Sequence, residues 1–361
     1  MNRTVFPAVV LLTAMFSSSA SGQPSPNQPD MAVDASIVGN TITLLAKGLR
    51  SAYVFPDVGE KVAAMLEQRQ ARGEYASVSS AKAFSELVTR QMFELTRDKH
   101  LRLLYSSQVV PQFPLVTPKT LPPPSPRMLE QLRASNYEFE KVERFPGNIG
   151  YLKLNAFVEA ERGGSVAAGA MAFLANTDAL IIDLRENGGG EPSMVALLAS
   201  YFFSGSVHLS SLAYRLEGTT EYDLTQIWTS PYVPGERYLD KAVYILTSER
   251  TFSAAEEFTY DLQALKRATV IGATTAGGAN PGGPYRLVDH FYAGMPRGHS
   301  INPVTNTNWE GTGIEPNVKV PATDALKVAR RMALEGLIER TSDSRALTAL
   351  KQALASLDAE R

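Results

Sequence analysis

The segment at residues 179–190, ALIIDLRENGGG, restricts the fold more than any other part of this chain. An apolar run that ends in a polar, glycine-rich turn is typical of a buried parallel strand, because helices cover both faces of such a strand. The helix predicted from Ser193 to Phe203 continues this pattern. The carboxyl end of the strand should therefore open into a site, since ligands bind at that edge of a parallel sheet.

The turn itself contains three successive glycines, Gly188 to Gly190. Glycines let the backbone approach a bound group closely, and no side chains shield their amides. A plain tight turn remains the alternative. The segment matches neither the dinucleotide nor the P-loop fingerprint, so no organic cofactor is predicted from it.

A serine follows a second apolar strand, Val243–Leu246, at the point where the chain enters a predicted helix. The helix is predicted from Ala254 to Leu265 by apolar positions at 3.6-residue spacing. Ser253 could therefore present its hydroxyl to a cleft, beside the free amides of the first helical turn. The same residues also form the pattern Ser-x-x-Glu, in which Ser253 and Glu256 would only cap the helix.

From Tyr137 onward the chain alternates between short apolar strands and helices, which predicts an α/β domain with a largely parallel sheet. The strands are predicted at Tyr137–Val142, Ile149–Leu154, Leu180–Leu184, Val243–Leu246 and Thr269–Ile271. Residues Gly272 to Gly283 form a long Gly/Thr/Ala-rich loop, of a length that suggests a function.

The part before Tyr137 has a different sequence pattern, with predicted helices followed by a proline-rich stretch. Three amphipathic helices are predicted near Ala35–Ser51, after Pro56 to about Arg72, and near Ala81–Thr96, followed by a short strand at Leu101–Tyr105. Seven prolines between residues 111 and 126 predict a stiff linker. The predicted domains are a signal peptide (1–22), a helical amino-terminal domain (31–105), a proline-rich linker (106–136), an α/β core (137–325) and carboxy-terminal helices (326–361).

The first residues resemble a cleavable signal. Arg3 precedes an apolar run from Val5 to Phe16, and small residues follow, with cleavage expected after Ala20 or Gly22. We therefore expect an exported protein, periplasmic or secreted, without an integral membrane segment. The chain has no cysteine, which excludes disulfides and a thiol nucleophile, and its net charge of −2 gives no reason to expect nucleic-acid binding.

Five motifs in register resemble the S41 serine peptidases, the carboxy-terminal-processing and tricorn-core group, and most closely the branch that includes the interphotoreceptor retinoid-binding protein. The motifs are DKHL at 98–101, the turn at 183–190, TSERTFSAAEEF at 247–258, IGATT at 271–275 and WEGTGIEP at 309–316. The resemblance implies an α/β fold with a crotonase/ClpP-like β/α core and an amino-terminal helical domain. It also implies that Ser253 is the nucleophile.

The chain departs from the processing peptidases in two ways. Their catalytic lysine, 25 residues beyond the serine, is replaced by Gly278, and too little chain precedes the core for a PDZ module. A serine hydroxyl needs a base, and the tricorn-like members use a histidine and a carboxylate, which match His100 and Glu310 here. Asp98 could orient His100 instead of Glu310.

The resemblance places the oxyanion hole at the amide of Gly189 or Gly190, together with that of Ala254, and leaves Glu256 to cap the helix or brace Ser253. The predicted function is that of a serine-type peptidase acting on peptides or proteins through an acyl-enzyme, without a metal or cofactor. One alternative is a binding protein for an apolar ligand, such as a retinoid or fatty acid, on the same fold, and another is an acyl hydrolase that does not act on peptides.

Overall fold

The computed structural model describes residues 28–110 and 125–360. The predicted signal peptide and residues 111–124 of the proline-rich stretch lie outside the described residues. The helices are α1 (Ala35–Ala52), α2 (Pro56–Ala71), α3 (Ala81–Thr96), α4 (Pro126–Ala134), α5 (Ala160–Leu174), α6 (Pro192–Ser200), α7 (Ala254–Ala264), α8 (Ala325–Arg340) and α9 (Ser344–Ala359). The strands are β1 (Arg102–Tyr105), β2 (Phe139–Phe145), β3 (Ile149–Leu154), β4 (Ala179–Asp183), β5 (His208–Arg215), β6 (Tyr222–Trp228), β7 (Ala242–Thr247), β8 (Thr269–Gly272), β9 (Gly282–Val288), β10 (Phe291–Pro296), β11 (Gly298–Ile301) and β12 (Val318–Lys319).

The chain divides into two compact units. Among the described residues, unit 1 comprises 28–110, Ser211–Gln226 and Gly278–Ile301, and unit 2 comprises Ser125–Ser210, Ile227–Gly277 and 302–360. The boundaries between the units fall within β5 and within β6. These two strands belong to a three-stranded sheet in the order β11-β5-β6, in which β5 pairs with β11.

Unit 2 contains a six-stranded sheet in the order β12-β8-β7-β4-β3-β2. Only β2 is antiparallel to its neighbour, and the other pairs are parallel. The strands β4 and β7 lie side by side, with Asp183 opposite Leu246. Their carboxyl ends therefore meet at one edge of the sheet, which brings the glycine turn after β4 and the serine turn after β7 together.

Helices cover both faces of this sheet, as expected for a parallel sheet of buried strands. One face packs against α8 and α9 through alternating strand residues such as Ile149, Ile181 and Leu246. The other face supports α5, α6 and α7, whose inner side chains, including Met171 and Phe258, are buried. The carboxy-terminal helices thus belong to the core of unit 2.

Unit 1 packs α1, α2 and α3 around one apolar core together with the three-stranded sheet β1-β10-β9. Local capping defines two of the helix starts: Asp34 accepts a hydrogen bond from the amide of Ile37, and Ser80 accepts one from that of Ala83. These helices match their predicted positions closely because their periodicity and caps are local signals.

The α/β class and the helical amino-terminal region are confirmed, while the boundaries between units differ from those predicted. Residues 278–301 group with unit 1 because β10 pairs with β1, a contact that no local pattern reveals. Residues 126–134 of the predicted linker form α4, which begins at Pro126, where a proline is tolerated. No helix within residues 28–110 and 125–360 is long and apolar enough to cross a membrane.

Candidate active site

Ser253 lies at a strained turn between β7 and α7. Its backbone has φ 55° and ψ −122°, a conformation that a residue with a side chain rarely adopts. Such strain costs about 1–3 kcal/mol and persists only where the surroundings enforce it, which is common at active sites. The turn leaves the serine half-buried at the amino terminus of α7.

The glycine turn after β4 packs directly against Ser253. A Cβ atom on Gly189 would lie 2.7 Å from the Cβ of Ser253, and Gly189 has φ 108°, so only glycine fits there. The amide of Phe252 donates to the carbonyl of Asn187 at 3.1 Å, which joins the two turns. The buried Asn187 side chain donates to the carbonyl of Leu154 at 2.9 Å and so fixes the turn to β3.

The amides of the two glycines have different surroundings. The Gly189 amide donates to the side chain of Asn187 at 2.9 Å, so its hydrogen is already used. Gly190 forms a parallel bridge with Phe157, in which the Phe157 amide and carbonyl bond to Gly189 and Glu191. In this pattern the Gly190 amide points away from Phe157. Gly190 therefore has the more available amide of the two.

The buried carboxylate of Glu256 holds the serine turn in place. One oxygen accepts from the amide of Ser253 at 2.9 Å. The other accepts from the hydroxyl of Thr275 at 2.5 Å and from the amide of Gly277 at 2.6 Å. Hydrogen bonds to a charged acceptor are strong, so Glu256 ties the start of α7 firmly to the loop after β8.

The same loop anchors the segment that carries Glu310. The amide of Gly311 donates to the carbonyl of Gly277 at 3.1 Å, and the amide of Ile314 donates to the hydroxyl of Thr275 at 2.8 Å. The ring of Trp309 packs on Tyr260 of α7, with ring centres 5.2 Å apart. Within unit 2, the half-buried Glu310 is therefore carried by a segment attached to both α7 and the loop that Glu256 binds.

An ion pair braces the start of the glycine turn. Arg185 makes two bonds to the buried carboxylate of Asp183, at 2.9 and 2.6 Å, and Tyr151 donates to the same carboxylate at 2.8 Å. The hydroxyl of Ser248, just after β7, donates to the carbonyl of Arg185 at 2.5 Å. These contacts fix the carboxyl ends of β4 and β7 relative to each other.

His100 belongs to unit 1 and follows α3 in a tight turn that Asp98 stabilises. The carboxylate of Asp98 accepts from the backbone amide of His100 at 2.9 Å, from the hydroxyl of Tyr53 at 3.1 Å and from the side-chain amide of Asn280 at 3.0 Å. Burial raises the pKa of Asp98 despite these bonds. Burial, with a smaller contribution from the charge of Arg102, lowers the pKa of His100 to about 3, so the imidazole stays neutral at moderately acidic pH.

Two buried carboxyl groups on α7 were not found by sequence reasoning. Glu257 and Asp261 lie one helical turn apart, 5% and 0% exposed, and each has one oxygen without a hydrogen-bond partner. Ser210 bonds to the first and Asn302 to the second, both neutral groups. Burial raises the pKa of Glu257 to about 7, and burial together with the charge of Glu257 raises that of Asp261 well above its usual value.

Two family models match the chain. The model described as peptidase family S41 matches residues 148–320, and the model described as the N-terminal domain of Peptidase_S41 in eukaryotic IRBP matches residues 35–140. The first match contains Ser253, Glu310 and the glycine turn, and the second contains Asp98 and His100. The two matches follow the order of the motifs and together span most of the described residues.

Solved structures resemble the chain over most of its length. A candidate peptidase from Parabacteroides merdae has 18% identity and a TM-score of 0.53, over 79% of this chain and 90% of that one. A lipoprotein from Streptococcus agalactiae has 14% identity and a TM-score of 0.53, over 83% of this chain and 96% of that one. At such identities the similarity concerns the fold.

Proposed function

Since the chain belongs to peptidase family S41, we propose that it is an exported serine peptidase that cleaves peptide bonds through an acyl-enzyme. The observation that supports this best is the strained turn at Ser253, held by Glu256 and packed against a glycine that tolerates no side chain. A helix cap alone needs no such strain, because a serine caps a helix with ordinary extended dihedrals.

In the proposed reaction the Ser253 hydroxyl attacks the carbonyl carbon of the scissile bond and passes its proton to His100. The histidine then gives this proton to the leaving amine as the carbon–nitrogen bond breaks. Water later attacks the acyl-enzyme by the same route and restores the serine. His100 suits the role of base because the lysine of the processing peptidases is replaced by Gly278.

We propose that the amides of Gly190 and Ala254 donate hydrogen bonds to the carbonyl oxygen of the substrate and stabilise the negative charge that develops on it. Gly190 is preferred to Gly189 because the Gly189 amide already bonds to Asn187. Ala254 is the first residue of α7, where backbone amides have no partner within the helix. Donors of this kind contribute about 3–4 kcal/mol each to the stability of the transition state.

The orienting carboxylate is assigned to Glu310. The competing residue, Asp98, already accepts bonds from a tyrosine, an asparagine and the backbone of its own turn, which favours a structural role. Glu310 lies on a segment anchored to the loop that Glu256 binds, and this attachment supports a role near Ser253. The proposal that the protein is exported rests on the signal peptide predicted within residues 1–22.

Labelling with a fluorophosphonate probe tests the proposal, because only an activated serine reacts. Wild-type protein and the matched control Ser344→Ala, at an exposed position of α9, should label equally, and Ser253→Ala should not label. His100→Gln should abolish labelling and peptide cleavage, while His290→Gln should not. Folded wild-type protein that fails to react would reject the proposal and favour the apolar-ligand alternative.

A further inference from the structure

The outer face of α3 and the outer edge of β1 enclose a groove of about 690 Å³ in unit 1, called here the α3–β1 groove. This volume lies within the range of ligand sites. Along α3 the groove extends from Lys82 to Phe93, which corresponds to about 16 Å at 1.5 Å per residue. An extended peptide of about five residues has this length.

The edge of β1 cannot accept an additional strand, because side chains already bond to its backbone. The hydroxyl of Thr89 donates to the carbonyl of Leu103 at 3.1 Å and accepts from its amide at 2.9 Å. The side chain of Gln28 donates to the carbonyl of Tyr105 at 2.9 Å. A ligand in the groove must therefore be held by side chains rather than by main-chain pairing.

The charged side chains of the groove are mainly basic. Its cations are Lys82, Arg90, Lys99 and Arg102. Its acids are Glu86 and Asp98, and the carboxylate of Asp98 is occupied by the bonds described above. The groove thus offers an excess of positive charge, which is complementary to an acidic ligand.

A buried hydroxyl provides a second, independent sign of a ligand. Ser85 is only 8% exposed, its Oγ atom has no hydrogen-bond partner, and the residue lines the groove. Leaving a buried hydroxyl without a partner is unfavourable, and a carboxylate would accept its proton in a charge-assisted bond.

The acidic ligand must come from another molecule. The parts of the chain outside the described residues, 1–27, 111–124 and 361, contain no aspartate or glutamate. These parts therefore offer no acidic side chains to the groove.

We propose that the α3–β1 groove binds an acidic, extended peptide segment of another molecule through its cations and the Ser85 hydroxyl. The groove ends at Asp98 and Lys99, next to His100 in the chain. If the proposed function holds, this site selects substrates that carry an acidic segment. The binding step itself does not depend on catalysis.

The test uses the full-length Ser253→Ala protein, so that bound peptides stay intact. A fluorescein-labelled peptide GEELEEG should bind with a Kd at least tenfold lower than that of GQQLQQG in fluorescence anisotropy, and salt should weaken the difference. Arg90→Glu should weaken GEELEEG binding at least tenfold. The matched control Arg127→Glu, an exposed position on α4 outside the groove, should change binding less than twofold.

Two milder variants separate recognition from misfolding. Glu86→Gln removes the acid at the exposed rim of the groove and should tighten binding about threefold, a gain that a damaged fold cannot produce. Ser85→Ala should weaken binding about fivefold with an unchanged circular dichroism spectrum. Each ratio corresponds to a difference of about 1 kcal/mol or less in the free energy of binding.

Three results would overturn the proposal: equal binding of the two peptides, equal effects of Arg90→Glu and Arg127→Glu, or tighter binding of a single-stranded oligonucleotide than of GEELEEG. Fluorophosphonate labelling of the wild-type protein gives a separate readout of the proposed function. Selective peptide binding without labelling would reject the proposed peptidase activity and support peptide binding in the groove. Labelling without selective binding would support the peptidase activity and reject peptide binding in the groove.

Discussion

Replacing Glu257 by glutamine should stabilise the protein at alkaline pH, although the residue is buried on the helix that carries the serine turn. Folding raises the pKa of this carboxyl from 4.5 to about 7 because burial disfavours the charged form. Because the pKa of this carboxyl is higher in the folded state, its contribution to the stability of the fold is complete below pH 4.5. This contribution is lost as the pH rises through about 7. A fully buried group with this pKa costs about 3 kcal/mol of stability above pH 7.

The glutamine side chain has nearly the same shape and cannot ionise. Its amide group can donate to the oxygen of Asp261 that has no partner, one helical turn away. Allowing about 1 kcal/mol for a weaker bond with Ser210, we expect Glu257→Gln to be about 2 kcal/mol more stable than the wild type at pH 8. At pH 4 the wild-type carboxyl is protonated in both states, so only the weaker bond with Ser210 remains, and the variant should be about 1 kcal/mol less stable than the wild type.

Urea unfolding of both proteins between pH 4 and pH 9 measures this difference, because the midpoint shifts with stability while the slope stays constant. The matched control is Glu94→Gln, the same substitution at an exposed position of α3, where a surface change should alter the stability by less than about 0.5 kcal/mol. Wild-type and Glu257→Gln curves that run parallel across this pH range would refute the reasoning, as would a less stable variant at pH 8.

Three further predictions concern the active site. Gly189→Ala should lower the stability of the fold by about 2–4 kcal/mol and remove activity, because the added Cβ would lie 2.7 Å from the Cβ of Ser253. The control is Gly205→Ala, where an added Cβ has no neighbour within 4 Å. Equal thermal midpoints for the two variants would contradict this prediction. Glu256→Gln should lower the stability of the fold by about 2–4 kcal/mol, because the new amide group would point its hydrogens at groups that now donate to the carboxylate. An unchanged midpoint of urea unfolding would contradict this. The rate of peptide cleavage should fall on acidification only well below pH 6.5, since burial lowers the pKa of His100, and a rate profile with its acid limb at pH 6.5 would argue against a buried base.

Local signals in the sequence determined the elements, the glycine turn and Ser253, while His100 and Glu310 followed from the resemblance to the S41 motifs. The apolar pattern predicted a buried strand at Leu180–Leu184, and the structure has β4 one residue earlier, at Ala179–Asp183. The serine before an amphipathic pattern predicted the start of α7 at Ala254, and the structure begins that helix at this residue. The α/β class followed from the alternation of strands and helices, because periodicity and turn residues act over a few positions.

Only the tertiary structure decided which of these elements lie together. That β4 and β7 are neighbours, so that Gly189 touches Ser253, depends on pairing between strands about sixty residues apart. The use of the Gly189 amide by Asn187 and the buried pair of Glu257 with Asp261 likewise depend on side-chain positions that no spacing specifies. Long-range packing determines burial and bonding, and these set the charge of a carboxyl and the availability of an amide.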